Sequence, residues 1–148
     1  MEAHKLLETA VTLLADVTIE KTEPEENRVD LVVTADNVVG AIEKILDTEW
    51  GYLASITGLD PSIDDPNLEV LYQICSGPVV LTLRVPVSKE NAFVPTLCDL
   101  LPSASFFERE LIEMFGIKVP GTPDPSRLFL PDEWPDDVYP LLKSFQTG

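Results

Sequence analysis

Between Leu68 and Val85 the chain alternates twice between apolar and polar residues, and Ser76-Gly77-Pro78 turns it in the middle. In the first run Val70, Tyr72 and Ile74 share one face. In the second, Val79, Leu81, Leu83 and Val85 point inward while Thr82 and Arg84 point outward. A period of two on both sides of a Gly-Pro turn predicts a β-hairpin with one buried face. Such a hairpin is marginal alone in water, so it demands more strands and a covering layer.

The rest of the chain supplies both. Val17–Lys21 and Val29–Thr34 are strand candidates around the acidic turn Thr22–Asn27, in which Glu23, Glu25 and Glu26 face water. Tyr52–Thr57 is a further strand, leading into the turn-rich Gly58-Leu59-Asp60-Pro61. Leu6, Ala10, Leu13 and Leu14 stand at helical spacing between Lys5 and Ala15. Asp36 suits the N-cap of a helix from Asn37 to about Thr48, with Val38, Ile42, Ile45 and Leu46 as its apolar stripe. Phe93–Leu101 reads as a short helix with Pro95 in its first turn. Ser103 or Ser105 then caps a helix through Phe115, closed by Gly116. Hairpins with interspersed helices predict an α+β fold, with a mostly antiparallel sheet of about five strands and helices packed on it.

After Gly116 the character changes. Residues 117–148 hold six of the thirteen prolines, a density that excludes helix and interior strand. They also carry Phe129, Trp134, Tyr139 and Phe145, which a disordered tail would lack. The expected organisation is an α+β domain over 1–116 and an extended Pro-rich arm over 117–148, suited to subunit docking. Composition leaves open whether the arm packs on its own domain, crosses onto another subunit, or does both.

Charge and counts remove several functions. The net charge is −16, which excludes most nucleic-acid binders and disfavours a polybasic membrane patch. Residues 1–103 carry −12 of it and residues 104–148 carry −4, so the acidity belongs mainly to the body rather than the arm. With 45% apolar residues the chain is no disordered polymer, and no apolar run approaches the length of a membrane span. The N-terminus reads as a helix rather than a signal peptide. Cys75 and Cys98 form no CxxC pair, so a reducing cytoplasm is the default compartment. A single histidine, His4, makes a histidine metal site or a Ser-His-Asp triad a poor fit. No phosphate loop, dinucleotide fingerprint, nucleophile elbow or HExxH occurs.

The densest polar cluster is FFERELIEMFG, residues 106–116. On a helix Phe107, Leu111, Met114 and Phe115 share one face, while Arg109, Glu110 and Glu113 lie opposite, with Arg109 and Glu113 at ion-pair spacing. Glu108 falls at the edge of the apolar face. A carboxylate there must find a partner or raise its pKa. The structural reading gives it a hydrogen bond or salt bridge, to an arginine such as Arg84 or Arg127; the functional reading makes it a general acid. The glutamates 108, 110 and 113 diverge around the helix, so one metal ion could not easily collect all three. Asp124 and Ser126 suit a turn, and Arg127 could tie the arm to the helix through Glu108 or Glu110.

ERELIEMFGI, GTPDPSR, LFLPDEW and VYPLLKSF, together with ASITGLD at 54–60, resemble the C subunit of the complex I type NADH–quinone oxidoreductases. The resemblance extends to the related subunit of energy-converting [NiFe] hydrogenases and F420H2 dehydrogenases, whose wording PDEWP and VYP approaches more closely. The family's aromatic-Glu-Arg-Glu is matched by Phe107-Glu108-Arg109-Glu110, and its helix end by Met114-Phe115-Gly116-Ile117. Gly121, Pro123, Asp124 and Arg127 keep the next block, which here lacks a histidine and one arginine. Lys143 keeps part of the last block, which loses Arg and Asp.

The resemblance implies a non-catalytic subunit of the peripheral arm, bracing the large subunit that forms the catalytic or quinone site, in electron transfer coupled to ion translocation. It implies no cofactor or metal in this chain, with iron–sulfur clusters, flavin, quinone or [NiFe] only in partner subunits. The expected partners are the large subunit and a neighbouring iron–sulfur subunit, on the cytoplasmic inner face of the cell membrane and without direct insertion. Arg109, Asp124, Arg127 and Lys143 would pair the arm with the partner or with the helix; Glu108, Glu110, Phe115, Gly116 and Pro123 are further partner-binding or structural residues. Phe129, Trp134 and Tyr139 would be apolar anchors. Two rival readings are a free-standing acidic enzyme using Glu108 and an assembly factor that binds only transiently.

Overall fold

The alternating runs become strands in the computed structural model, which describes residues 2–145. The last three residues of the expected arm lie outside the described residues. The strands are β1 (Glu20–Glu25), β2 (Arg28–Val32), β3 (Tyr52–Leu59), β4 (Asn67–Ser76) and β5 (Val79–Ser88). The helices are α1 (Glu2–Leu13), α2 (Ala35–Asp47) and α3 (Ser105–Phe115), the last preceded by a 3-10 turn at Pro102–Ala104. The five strands form one sheet in the order β1-β2-β5-β4-β3. The sheet is mostly antiparallel, and the fold is α+β as expected. The exception is β2 with β5, a parallel pair that sets Val29 against Leu81 and Leu31 against Leu83. A parallel pair needs a long crossover, and α2, β3 and β4 provide it.

The chain divides into two compact units, Met1–Ile56 with Leu71–Pro86, and Thr57–Val70 with Val87–Gly148. In the first, Val29, Leu31, Leu81 and Leu83 line the apolar face of the sheet, and α2 contributes Val38, Ile42 and Ile45, all buried. Leu46, expected in the same stripe, is half-buried. The Trp50 indole N–H donates to the Leu6 carbonyl at 2.7 Å, tying the segment after α2 to α1. The opposite face of β2 and β5 carries Arg28 and Asp30 beside Thr82 and Arg84, with Asp30 directly across from Thr82. Both guanidinium groups approach Asp30, at 3.5 and 3.3 Å. Thr82 is not the outward residue that alternation predicted; it is 0% exposed. β5 sits at the centre of the sheet, with strands on both sides, and that position overrides the alternation.

Other boundaries move for local reasons. β1 continues through Glu25, so the expected turn Thr22–Asn27 shrinks to Glu26-Asn27, with Asn27 at φ 65°. Pro24 is tolerated because β1 is an edge strand whose register slips between Thr22 and Glu25. The N-cap of α2 is Thr34, and Asp36 sits in the first turn, where its charge favours the helix dipole.

In the second unit the core is Leu68, Val70, Val87, Val94, Leu97, Leu111, Phe115, Ile117 and Val119. Residues 93–101 are not a helix. Phe93 bridges to Lys118 in parallel, and the amides of Val94 and Thr96 donate to the carbonyls of Lys118 and Pro120. Those N–H groups are engaged at long range, so no helical ladder forms. α3 starts from Ala104 and the 3-10 turn, with neither Ser103 nor Ser105 capping it. Its end is the expected one: Gly116 adopts φ 72° and donates to Ile112 O at 3.1 Å. No helix among the described residues is long and apolar enough to cross a membrane.

Candidate functional site

Every sequence-predicted site residue lies on α3 or on the segment that follows it, within the second unit. On α3, Leu111 and Phe115 are buried as expected, and Phe107 and Met114 are half-buried. Glu108 is 2% exposed. Its carboxylate accepts from the Thr96 hydroxyl at 2.6 Å, the Leu97 amide at 2.7 Å and the Cys98 thiol at 3.2 Å. The structural reading holds, but its partner is neither Arg84 nor Arg127. The turn at 96–98 offers hydrogen-bond donors next to the helix, whereas Arg84 reaches Asp30 and Arg127 reaches the arm. Burial pushes the Cys98 thiol up, and the neighbouring Glu108 charge pushes it further, so the thiol stays protonated and donates.

Glu113 departs most from expectation. It is 6% exposed and makes no ion pair with Arg109. Instead it accepts from three successive amides, Leu128 at 3.1 Å, Phe129 at 2.8 Å and Leu130 at 2.8 Å. A backbone without helix or strand must satisfy its N–H groups elsewhere, and a carboxylate in a nest of amides does so. Arg109 reaches the same stretch from the next turn of α3. Its guanidinium donates to Ser126 O at 3.0 Å and Arg127 O at 2.7 Å, and stands 3.7 Å from Asp124. Asp124 accepts from the hydroxyl and amide of Ser126, which together hold its carboxyl below the usual range. The expected pairing of arm with helix therefore forms through Arg109. Arg127 does not reach Glu108 or Glu110; it closes a loop within the arm, onto Pro131 O at 2.7 Å and Asp136 at 3.2 Å.

The three aromatic anchors differ in role. The Tyr139 ring covers Gly116, where an added Cβ would come 2.5 Å from the ring. The Trp134 indole donates to Val138 O at 2.8 Å and packs against Phe145, with ring centres 6.0 Å apart. Phe129 alone is held outward, 61% exposed, while its amide is fixed by Glu113. Pro123 and Lys143 are exposed and Glu110 half-buried. Lys143 contributes its backbone amide, which donates to Asp60 at 2.8 Å.

Asp60 is the residue that motif and spacing did not mark. It is 4% exposed and also stands 3.0 Å from the Lys89 ammonium. Burial would raise its carboxyl, but the Lys143 amide, the Lys89 ammonium and the Ser62 amide outweigh burial and hold it low. Its position at the end of ASITGLD was the available signal. Reading it as a turn residue hid its partners, which lie 29 and 83 positions away.

Residues 31–148 match the family described as respiratory-chain NADH dehydrogenase, 30 Kd subunit. The NADH-quinone oxidoreductase C subunit of Moorella thermoacetica is 33% identical over 119 residues, covering 78% of each chain. Membrane-bound hydrogenase subunit beta of Pyrococcus furiosus is 44% identical over 63 residues, 43% of this chain and 36% of that one. Two further relatives, both NADH-quinone oxidoreductase C subunits from Roseiflexus, are spanned over only 57% of their length. Among solved structures, a chain of the archaeal membrane-bound sulfane sulfur reductase shares the fold, with TM-score 0.81 and 18% identity, over 99% of this chain and 86% of that one.

Proposed function

Because the chain belongs to the respiratory-chain NADH dehydrogenase 30 kDa subunit family, we propose that it is a non-catalytic, peripheral subunit of a membrane-associated complex I type oxidoreductase. In this reading it braces the large subunit that forms the catalytic or quinone site, with a neighbouring iron–sulfur subunit as second partner. Residues 117–148 dock and residues 1–116 form the body. The chain lies on the cytoplasmic face of the membrane through its partners. It carries no metal or cofactor; iron–sulfur, flavin, quinone or [NiFe] groups belong to the partners.

The observation that carries this reading is Phe129. Its backbone is clamped by Glu113 while its ring stands in water. An aromatic side chain on a preorganised backbone is what a binding hot spot requires, because the ordering cost is met before docking. Co-expression with the large subunit of such a complex tests this. Phe129→Asp is expected to cut recovery of the pair by about tenfold or more with the melting temperature unchanged, and full recovery would sink the reading.

The same role in a hydrogenase-type complex is the second reading, favoured by the 44% local identity to the Pyrococcus protein. A large subunit with [NiFe]-ligating cysteines among the co-purified proteins would select it. The free-standing enzyme has less support: both Glu108 oxygens are engaged and the side chain is buried. Turnover by the purified chain that Glu108→Gln abolishes would restore it. Stoichiometric recovery in the mature complex separates a permanent subunit from a transient assembly factor.

A further inference from the structure

The last part of the arm, residues 139–145, is tied to the rest of its unit by backbone amides and by one ring. The Tyr139 ring lies over Gly116. The Leu141 amide donates to Met114 O at 3.0 Å. The Lys143 amide donates to Asp60 Oδ2 at 2.8 Å, and Asp60 Oδ1 is 3.0 Å from Lys89 Nζ, which also donates to Ser62 O at 2.7 Å. A cavity of about 350 Å³ adjoins these contacts, lined among others by Asp60, Lys89, Phe115, Gly116, Tyr139 and Leu142. Upstream, the bonds of 131–138 run within the arm itself, from Arg127 to Pro131, Asp132 and Asp136 and from Trp134 to Val138. Further upstream, Glu113 and Arg109 hold 126–130 with three amides and a guanidinium.

We propose that residues 139–145 form a strap that Asp60 latches over this cavity, and that the strap opens about 131–138 while Glu113 keeps 128–130 in place. The two clasps are unequal. The upstream one rests on several charge-assisted bonds to α3; the downstream one rests on single amides and one buried carboxylate. Local opening follows the weaker set. Because its partners hold the Asp60 carboxyl low, the latch is ionised and closed at neutral pH. Opening uncovers the Phe115 ring, the Gly116 backbone and the cavity, and parts Trp134 from Phe145. The strap belongs to the chain by itself and stands apart from the assembly proposed above.

Amide exchange on the intact chain, resolved by residue, tests it. Asp60→Asn keeps the shape but removes the charge. It is expected to speed exchange at Leu141, Leu142 and Lys143 by about tenfold and to leave Leu128–Leu130 within about twofold. Glu113→Gln is expected to do the reverse. Lys143→Pro removes the donor N–H itself and covers the case in which Asp60→Asn fails to fold; it should speed exchange at Leu141 and Leu142 alone. The proposal is overturned if either Asp60→Asn or Lys143→Pro leaves the 141–142 amides as protected as before, or if they and 128–130 accelerate together.

Discussion

In the first compact unit the buried side chains are almost all apolar, and strands and helices satisfy the backbone; in the second, Asp60, Glu108 and Glu113 are buried in order to accept backbone amides. The difference follows from proline. Six of the thirteen lie after Gly116 and forbid a ladder of regular hydrogen bonds there. Segments without such a ladder still carry N–H groups that must be paired when they pack. Carboxylates on α3 and at the end of β3 pair them. Both units are stabilised by area removed from water, but the second adds a handful of charge-assisted bonds to buried carboxylates, and the two should fail differently.

The largest effect is expected in the first unit. Leu83→Ala, at a fully buried position, should cost about 3 kcal/mol in urea unfolding. A loss under about 1 kcal/mol would mean that apolar packing is not what holds the sheet. Next is Glu113→Ala. Stripping three amides of their acceptor should cost about 2 kcal/mol, less than three separate bonds would, because a released segment can turn its N–H groups to water. If this loss exceeded that of Leu83→Ala, the contrast between the units would be inverted.

Acid and alkaline titration sharpen the contrast further. The Asp60 carboxyl lies low in the folded chain, so its stabilising contribution is complete above the unfolded value of about 3.9 and is lost as pH falls through the folded one. Asp60→Asn should therefore flatten the acid limb of the stability–pH curve and leave the alkaline limb alone. Tyr139 behaves oppositely. Burial, with Asp137 and Asp136 nearby, raises its phenol. Its contribution is full below about pH 10 and is lost as pH rises through the folded value, so Tyr139→Phe should alter only the alkaline limb. An acid limb unchanged in Asp60→Asn would show that the carboxylate does not hold the arm. The smallest effect is Thr82→Val. The Thr82 hydroxyl is buried with no hydrogen-bond partner among the described residues, so the change should be neutral or stabilising by up to about 1 kcal/mol. A loss of that size would reveal a partner for the hydroxyl.

Much of the first unit was legible from periodicity. The double alternation over Leu68–Val85 became β4 and β5 with the expected buried face, apart from Thr82, and the α2 stripe buried Val38, Ile42 and Ile45. Gly116 was legible as a helix terminator because only a residue free of Cβ sits easily at φ 72°. The second unit was legible in residue type but not in pairing. Glu108 was recognisable as a carboxylate needing a partner, yet spacing favoured an arginine over the turn at 96–98. Arg109 and Glu113 stood at ion-pair spacing, yet each found the arm instead. The supposed helix at 93–101 had an apolar pattern, but its amides went to 118–120.

By itself, the sequence determined what a short window controls: strand and helix periods, the glycine stop, the proline density that denies the arm a ladder, and the family block around α3. Only the tertiary structure decided which donor each buried carboxylate meets. Asp60 with Lys143 lies 83 positions apart in the chain, Arg84 with Asp30 54, and Glu113 with the Leu128–Leu130 amides 15 to 17. Local propensity acts over a few residues, whereas such partners are chosen by the packing that brings distant segments together, and a carboxylate excluded from water binds whichever donors that packing presents.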